Sequence, residues 1–295
     1  MVSIGVPVYN GQKHLRETLD SLLAQTFADF ELIISDNAST DATADICQEY
    51  ASHDSRIRYH RQSKNLGAPV NWNFVAREAR GRYFKWSSAS DSCKPNFLTA
   101  CVPILEGDPS IVVCFGKTTY VDDVGQSVTF PDRDVEVLDD SPSARFQRVC
   151  DQLSLNNEQY GLIRRDALMK TGLVRSYPHG DLVLMAELAL LGKFKRIPSY
   201  VFVRRLDEHD WTGMMSSEEL DSLFWPHSQP KLRIDFIRRH LDYFRTCFCH
   251  DLSLAERVRV AQYALRKAYW GRRQMKAELA SFFGRVRNAH SSSAD

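Results

Sequence analysis

The chain has 295 residues, of which 43% are hydrophobic and 25% are charged, and its formal net charge is +1. This composition is typical of a soluble globular protein with one large domain, or one domain and an appendage. A net charge so close to zero gives no overall positive electrostatic potential to attract nucleic acid, which argues against nucleic acid as a partner. The charge is uneven, however, because residues 231–287 contain 14 Lys and Arg against 5 Asp and Glu.

The cysteines and the apolar runs bear on location. Seven cysteines are scattered without a C-x-x-C pair, and most lie in apolar runs, which indicates buried thiols in a reducing compartment. The first strand-like segment follows no basic leader, and no apolar run reaches the roughly 18 to 20 residues that span a bilayer. We therefore expect a cytoplasmic protein without a signal peptide.

Strand and helix patterns alternate along the first hundred residues. Residues 2–10 alternate apolar and small side chains, which predicts a buried strand, and residues 14–25 place four leucines on one helical stripe. A helix at 39–51 would begin at Ser39 or Thr40 as its cap. The remaining predicted elements are strands at 30–35, 57–61 and 82–87, a loop at 63–69, and helices at 70–80 and 96–106.

The second part of the chain is less regular. One or two strands are expected at 110–123, then a surface loop at 125–143 that contains Pro131 and Pro142. An apolar helix at 180–193 begins near Asp181, and a strand follows it at 194–205. Residues 206–230 are predicted to be irregular. From about residue 231 we expect two or three basic amphipathic helices, with a disordered tail at 289–295.

This order predicts an α/β fold with a mainly parallel central sheet flanked by helices. Ligands bind beyond the carboxyl ends of the strands in such sheets, so the residues after each strand are candidates for a site. Asp36, at the tip of the second strand, could accept hydrogen bonds from a nucleotide or could merely cap the next turn. The first strand-to-helix turn lacks G-x-G-x-x-G, which argues against a dinucleotide-binding enzyme.

Four ordered segments, 2–27, 30–43, 58–73 and 81–98, resemble the nucleotide-sugar-binding half of the family 2 glycosyltransferases. The resemblance extends to about residue 125 and continues more weakly to about residue 205. It implies a GT-A fold over residues 1–225, with a nucleotide-sugar-binding half at 1–125 and an acceptor-binding half at 126–225. Residues 226–288 would form a basic helical C-terminal region.

The resemblance also implies an activity. The protein would be an inverting glycosyltransferase that moves a sugar from a nucleoside diphosphate donor, UDP-linked by default, to an acceptor hydroxyl. The acceptor would belong to cell-surface polysaccharide or glycolipid. In the nucleotide site, Pro7, Val8 and Tyr9 would line the base pocket and Asp36 would bind the base or ribose. The loop residues Asn65, Gly67 and Asn71 would lie near the nucleotide, although Asn71 could equally cap a helix.

In the family, a D-x-D signature after the fourth strand holds Mg²⁺ or Mn²⁺ on the donor diphosphate, whose negative charge grows as it leaves. With Pro95 as anchor, the extended signature D-x-D-D falls on residues 88–91. Ser88 and Ser90 replace both acids of the signature, so only Asp91 could bind a metal.

Three interpretations remain open. Asp91 and the phosphates could hold Mg²⁺ or Mn²⁺ more weakly than usual. The site could be metal-independent, with Lys64, Lys94 or Arg204 carrying the charge. The chain could also be a catalytically silent nucleotide-binding protein or scaffold. Asp91 as a helix N-cap is compatible with each of them.

The family's general base is an acid at the start of a late helix, which implies that role for Asp181. His179 would orient Asp181 or contact the acceptor, and Glu187 is a poorer candidate because it lies nearly two turns into the helix. Arg204 and Arg205 suit a diphosphate, since arginine pairs with phosphate oxygens in a bidentate manner. After them, the family often has histidine where this chain has Asp207, and His209 could substitute for it.

The basic C-terminal helices have two interpretations. They could present a solvated charged face, or they could contact anionic lipid head groups and place the protein peripherally on the inner face of the membrane. The aromatic pairs Tyr269-Trp270 and Phe282-Phe283 would suit such an interface. They would equally pack on the main domain or on a second subunit in a homodimer.

Overall fold

The computed structural model describes residues 1–206, 215–227 and 233–291, apart from the side chains at 217 and 283–291. Within these residues the strands are β1 (Val2–Val8), β2 (Phe30–Asp36), β3 (Ile57–Arg61), β4 (Tyr83–Trp86), β5 (Ser92–Cys93), β6 (Ile111–Val121), β7 (Ser127–Val128), β8 (Leu162–Arg164) and β9 (Lys193–Arg205). The helices are α1 (Leu15–Leu23), α2 (Thr43–His53), α3 (Ala68–Glu78), α4 (Phe97–Gly107), α5 (Pro142–Gln152), α6 (Arg165–Leu168), α7 (Gly180–Leu191), α8 (Ser217–Phe224), α9 (Asp235–Cys249), α10 (Leu254–Trp270) and α11 (Arg272–Ser291).

These strands form one mixed sheet in the order β3-β2-β1-β4-β8-β6-β9-β5, with β7 beside β6. The first four pair in parallel, as predicted from the strand–helix alternation. The second half adds β8, which is antiparallel to both of its neighbours, while β9 returns parallel to β6. Because β1, β2 and β4 run in one direction, the segments that follow them meet at a single edge of the sheet.

The predicted leucine stripe of α1 is confirmed. Leu15, Leu19 and Leu22 are fully buried and join the alternating residues Val2, Ile4, Val6 and Val8 of β1 in one hydrophobic cluster. This packing holds the first turn of α1 against the edge of the sheet where the strands end. The loop at 10–14, which connects β1 to α1, is thereby placed beside the segments that follow β2 and β4.

Several predicted boundaries were wrong. The cap of α2 is neither Ser39 nor Thr40, because the helix begins at Thr43 and the Ser39 hydroxyl accepts the Asn10 N–H instead. The segment predicted to be irregular contains α8. A capping box begins this helix, in which Ser216 and Glu219 each accept the backbone N–H of the other. The S-x-x-E pattern could have predicted it.

Other differences lie in the segments that were assigned to loop or tail. The predicted loop at 125–143 contains the short strand β7, and α5 begins at Pro142 with Ser141 as its cap. At the C-terminus, α11 continues to Ser291, so residues 289–291 are helical rather than disordered. Residues 292–295 lie outside the described part of the chain. The apolar stretch at 110–123 forms a single strand, β6.

The C-terminal helices are packed against the main domain. Tyr243 of α9 and Tyr263 of α10 are buried, and both make edge-to-face contacts with Phe146 of α5 at 5.9 Å between ring centroids. Their hydrophobic cluster is continuous with that of α7. In the described ranges no helix has both the length and the apolar content required to cross a membrane.

Candidate functional site

Two adjoining cavities open at the carboxyl edge of the parallel strands. The first has a volume of about 550 Å³ and the second about 330 Å³. Ala68 and Trp72 of α3 line both, so the N-terminal turns of α3 form the wall between them. The first cavity is lined by the segments after β1, β2 and β4, and the second by the segments before α7 and at the end of β9. Residues of α8 border both cavities.

The end of β1 lines the first cavity. Pro7, Val8 and Tyr9 all contribute, and the Tyr9 side chain is exposed there. Asn10 follows with φ of 51°, a left-handed conformation that asparagine tolerates better than most residues. Its side-chain oxygen accepts the Thr40 N–H at 2.9 Å, which ties the loop after β1 to the loop after β2.

Asp36 is fully buried and does not line the first cavity. Its carboxylate accepts the Ser39 N–H at 2.8 Å and the Tyr59 hydroxyl at 3.1 Å. Asn37 lines the cavity instead, with its amide held by the Leu66 N–H and by Asn65. Of these two neighbours, only Asn37 therefore faces the first cavity.

Asn65 also lines the first cavity, whereas Gly67 and Asn71 serve mainly to build it. Asn71 is buried, accepts the Ser35 hydroxyl at 2.6 Å and donates to the Ser35 carbonyl at 2.9 Å, so it fastens α3 to β2. Asn71 also borders the cavity. Gly67 has φ of 84°, and a Cβ there would lie 2.6 Å from the Phe224 carbonyl oxygen, so glycine is required for α8 to sit against α3.

The corner at residues 88–91 presents hydroxyls rather than carboxylates to the first cavity. Ser88 and Ser90 line it, with their hydroxyl oxygens 3.0 Å apart. Asp91 is only 4% exposed and accepts the backbone N–H of Arg205 at 3.0 Å. The interpretation of Asp91 as a helix cap was wrong, because the cap of α4 is Asn96.

This donor set does not fit Mg²⁺ or Mn²⁺, which prefer several oxygen ligands including carboxylates. Neutral serine hydroxyls cannot offset a double positive charge, and the Asp91 carboxylate is turned into the protein. Across the part of the chain that the structure describes, no cluster of three or more His, Cys, Asp and Glu could hold a metal ion.

The two arginines at the end of β9 have different surroundings. Arg204 lines the second cavity and donates to the Leu155 carbonyl at 2.6 Å and to Asn157 at 2.7 Å. Arg205 is 4% exposed, lines neither cavity, and bonds Glu17 and the carbonyls of Asp122 and Asp123. Asp207 and His209 lie outside the described residues.

Asp181 lies in the first turn of α7 and faces the second cavity. Its Oδ2 accepts the Asn156 amide N–H at 2.7 Å, which holds the carboxylate in place. His179 precedes the helix with φ of 63° and lines the same cavity. Desolvation of the ring lowers the pKa of His179 below its ordinary value, and the Asp181 charge offsets part of this. His179 is therefore mainly neutral at pH 7.

Glu187 is excluded from the cavity chemistry. It is a buried residue of α7 that accepts the Gly172 N–H at 2.9 Å and pairs with Arg175 at 2.8 Å. It lines neither cavity, so the preference for Asp181 over Glu187 has a structural basis.

Sequence reasoning missed several residues that the fold brings to the cavities. Lys13 and His14 line the first cavity, whereas Lys64 and Lys94, the lysines considered from the sequence, are exposed and line neither. Trp72 stands between the cavities and contacts Tyr160 edge-on. Positions just after a strand are a signal that could have found Lys13 and His14. The α8 residues that border the cavities are Glu219, Ser222, Leu223 and Phe224.

Comparison with known proteins supplies the family. The model described as Glycosyl transferase family 2 matches residues 3–172, which is more than half of the chain. The chain belongs to glycosyl transferase family 2. The match includes the end of β1, the serine corner and the second half of the sheet as far as α6.

Curated relatives of this family 2 chain match less than half of it. The glycosyltransferase GlyG of Streptococcus pneumoniae is 32% identical over 114 residues, which cover 38% of each protein. TuaG of Bacillus subtilis, named as a putative teichuronic acid biosynthesis glycosyltransferase, is 37% identical over 98 residues, covering 33% of this chain and 39% of TuaG. The chain spans less than half the length of the curated relatives it matches.

Solved structures agree over nearly the whole chain. TarS of S. aureus in complex with UDP-GlcNAc superposes with a TM-score of 0.65 at 16% identity, covering 95% of this chain and 80% of TarS. The mannosyltransferase PcManGT of Pyrobaculum calidifontis, in complex with GDP-Man and Mn²⁺, gives 0.56 at 15% identity and covers 100% of this chain and 80% of its own. The α/β GT-A fold with a C-terminal helical region is confirmed.

Proposed function

We propose that this family 2 protein is an inverting glycosyltransferase that binds a nucleoside diphosphate sugar, UDP-linked by default, in the first cavity. It transfers the sugar to an acceptor hydroxyl in the second cavity, for cell-surface polysaccharide or glycolipid synthesis. The observation that carries this proposal is the junction of the two cavities at Trp72, with the Asp181 carboxylate in the second. A donor site and a base thus share one wall.

The nucleotide end of the proposal rests on the first cavity. The exposed Tyr9 ring offers a stacking surface for a base, and the amides of Asn37 and Asn65 offer polar contacts beside it. The UDP-GlcNAc bound by TarS and the GDP-Man bound by PcManGT support a nucleotide-sugar donor for this fold. The teichuronic acid role in the name of TuaG supports a polysaccharide acceptor.

The chemistry follows from the placement of Asp181. The acceptor oxygen attacks the anomeric carbon, the bond from that carbon to the phosphate oxygen breaks, and the electron pair leaves with the nucleoside diphosphate. The acceptor proton passes to the Asp181 carboxylate. Attack from the side opposite the leaving group inverts the anomeric centre. Asn156 orients the base, and His179 and Arg204 contact the acceptor or the sugar from the cavity wall.

Arg205 has a supporting role in this scheme. Its guanidinium joins Glu17 of α1 to the carbonyls after β6, and its backbone N–H holds Asp91. It therefore positions the corner at residues 88–91 rather than contacting the diphosphate directly. Ser88 and Ser90 remain available to donate hydrogen bonds to phosphate oxygens.

Binding and turnover with a donor panel test the proposal. We expect calorimetry to detect binding of one or more UDP- or GDP-sugars. We also expect the protein to hydrolyse the same donor slowly when no acceptor is present. With a polysaccharide or glycolipid acceptor, nuclear magnetic resonance should show a product with inverted anomeric configuration. A retained configuration would contradict the mechanism, and donor binding without any turnover would contradict the activity.

We further propose that α10 contacts anionic lipid. Leu254, Val258, Leu265 and Tyr269 are exposed and recur at helical spacing on the face opposite the buried Tyr263. The same helix carries four basic residues, of which Arg259 pairs with Glu256 and Lys267 pairs with Asp151, in a region with 14 Lys and Arg against 5 Asp and Glu. An apolar stripe flanked by cations is complementary to a negatively charged membrane surface.

Vesicle sedimentation tests this contact. The protein should bind vesicles of phosphatidylglycerol and phosphatidylcholine, and Leu265→Glu should weaken binding about tenfold or more, since it puts a charge in the apolar stripe. Val124→Glu, an equal charge change at an exposed position in the β6–β7 turn, is the control and should have little effect. If Leu265→Glu instead dissociates a dimer in ultracentrifugation and vesicles do not bind, the stripe is a subunit interface.

A further inference from the structure

In the proposed donor site, the corner at residues 88–91 offers no positive charge to the donor diphosphate. The leaving diphosphate gains negative charge, and this need is normally met by a metal ion or by cationic side chains. Ser88 and Ser90 carry no charge, and Asp91 is buried against the Arg205 backbone. The corner itself therefore neither holds a divalent cation nor supplies positive charge.

Two basic side chains lie at the same cavity from the other side. Lys13 and His14 immediately precede α1, and both line the first cavity together with Ser88 and Ser90. The first turns of α1 are fastened to the corner, because the Thr18 hydroxyl lies 3.0 Å from the Ala89 carbonyl oxygen and 2.8 Å from that of Asp91. The backbone at the start of α1, from which both side chains extend, is thus held beside the corner.

Both side chains bond to Asp123, which follows β6. The Lys13 ammonium donates to its carboxylate, and His14 Nε2 lies 3.1 Å from Asp123 Oδ1. Lys13 and, to a lesser extent, His14 lower the pKa of Asp123. The Lys13 and Asp123 side chains are 60% and 44% exposed. Such an exposed ion pair contributes little stability, so Lys13 can exchange it for a more highly charged partner at small cost.

We infer that Lys13 contacts the donor diphosphate and supplies the positive charge that a metal ion would otherwise supply at this site. His14 assists by donating a hydrogen bond to the same diphosphate. Asp123 holds the Lys13 ammonium when no donor is present and releases it when the diphosphate enters. Lys13 then stabilises the negative charge that develops on the leaving diphosphate as the bond to the anomeric carbon breaks. The inference rests on the proposed donor site.

Calorimetry with UDP and UMP, in EDTA and in Mn²⁺, tests the inference, with GDP and GMP as the alternative pair. UDP affinity should agree within about twofold between EDTA and Mn²⁺. Lys13→Met should weaken UDP binding about tenfold or more, as expected for loss of one charge-assisted contact, and should change UMP binding much less. Lys64→Met, at an exposed position that lines neither cavity, is the matched control and should bind UDP like the unmodified chain.

Two further variants distinguish charge supplied by Lys13 from charge supplied by a bound metal ion. Asp123→Asn should strengthen UDP binding, since it frees Lys13, whereas a weaker affinity would indicate that Asp123 itself holds a metal. The double variant Ser88→Asp, Ser90→Asp should bind UDP more weakly in EDTA, and added Mn²⁺ should restore its UDP affinity.

The outcomes distinguish the inference from the proposed function. A requirement for Mn²⁺ in the unmodified chain, or equal losses of UDP and UMP affinity in Lys13→Met, would overturn the role of Lys13 and leave the donor site standing. Failure to bind any nucleoside diphosphate would overturn the donor site, and the inference with it.

Discussion

Replacing Asp181 by asparagine is expected to lower kcat by about 10²- to 10⁴-fold, the usual contribution of a general base. Asparagine keeps the shape of the side chain at the first turn of α7, but it cannot accept the acceptor proton. The proposed donor site is the neighbouring cavity, so donor affinity should change little. Steady-state transfer rates and donor calorimetry on the same preparation would show the split between kcat and binding.

A matched control exists in α6, where Asp166 also lies in the first turn of a helix and borders neither cavity. Asp166→Asn should leave both kcat and donor affinity unchanged. If Asp181→Asn retains normal turnover, or loses activity only by unfolding at a lower temperature than the control, Asp181 serves α7 as a structural acid and the base lies elsewhere.

Replacing Glu187 by alanine is expected to lower the free energy of unfolding by about 3 kcal/mol, because removal of one member of a buried ion pair leaves the other charge uncompensated. Glu187 is 3% exposed by its side chain and Arg175 is 23% exposed. The substitution also removes the acceptor of the Gly172 N–H. Chemical denaturation should show the loss, with kcat below the transition largely retained.

Glu187→Gln separates hydrogen bonding from charge. Burial raises the pKa of Glu187 even though Arg175 and the Gly172 N–H both act to lower it, so the ionised form is only partly compensated. A raised carboxyl pKa makes stability fall as pH rises from the unfolded pKa toward the folded one. Glutamine keeps an acceptor for the Gly172 N–H and lacks this titration, so it should flatten that pH dependence and cost less than alanine by the part of the loss that comes from the missing acceptor. Equal losses in both variants would show that charge, not the acceptor, is what α7 needs.

Asp181 and Glu187 show how much of a residue's role the local sequence pattern predicts. Both lie on the apolar helix that the sequence predicts at 180–193, and their distance from its start already favours Asp181 as the base. The local pattern does not reveal the partners of Glu187. Gly172 and Arg175 lie in an irregular segment that is joined to α9 through Asp242, which contacts both Arg175 and Tyr177. An acidic residue within an apolar helix indicates that it has polar partners, but the local sequence does not identify them.

Adjacent residues at strand ends show the same limit. Asp36 and Asn37 follow one another, and so do Arg204 and Arg205, yet in each pair only one side chain lines a cavity. All seven residues of β2 are buried, so no alternation of apolar and polar side chains reveals which face meets the ligand. The choice depends on which layer covers each face, and that is a tertiary property.

The sequence by itself determined the strand–helix order of the first half of the chain, the edge of the sheet where a site must form, and the residue types at that edge. These follow from periodicity and from the geometry of parallel strands, which are local or nearly so. Only the tertiary structure decided that Asp91 turns inward, that α8 closes over Gly67, and that Lys13 meets Asp123 across 110 residues of sequence. Those outcomes depend on contacts between distant segments, which are set by packing of the whole domain and leave no periodic trace in the chain.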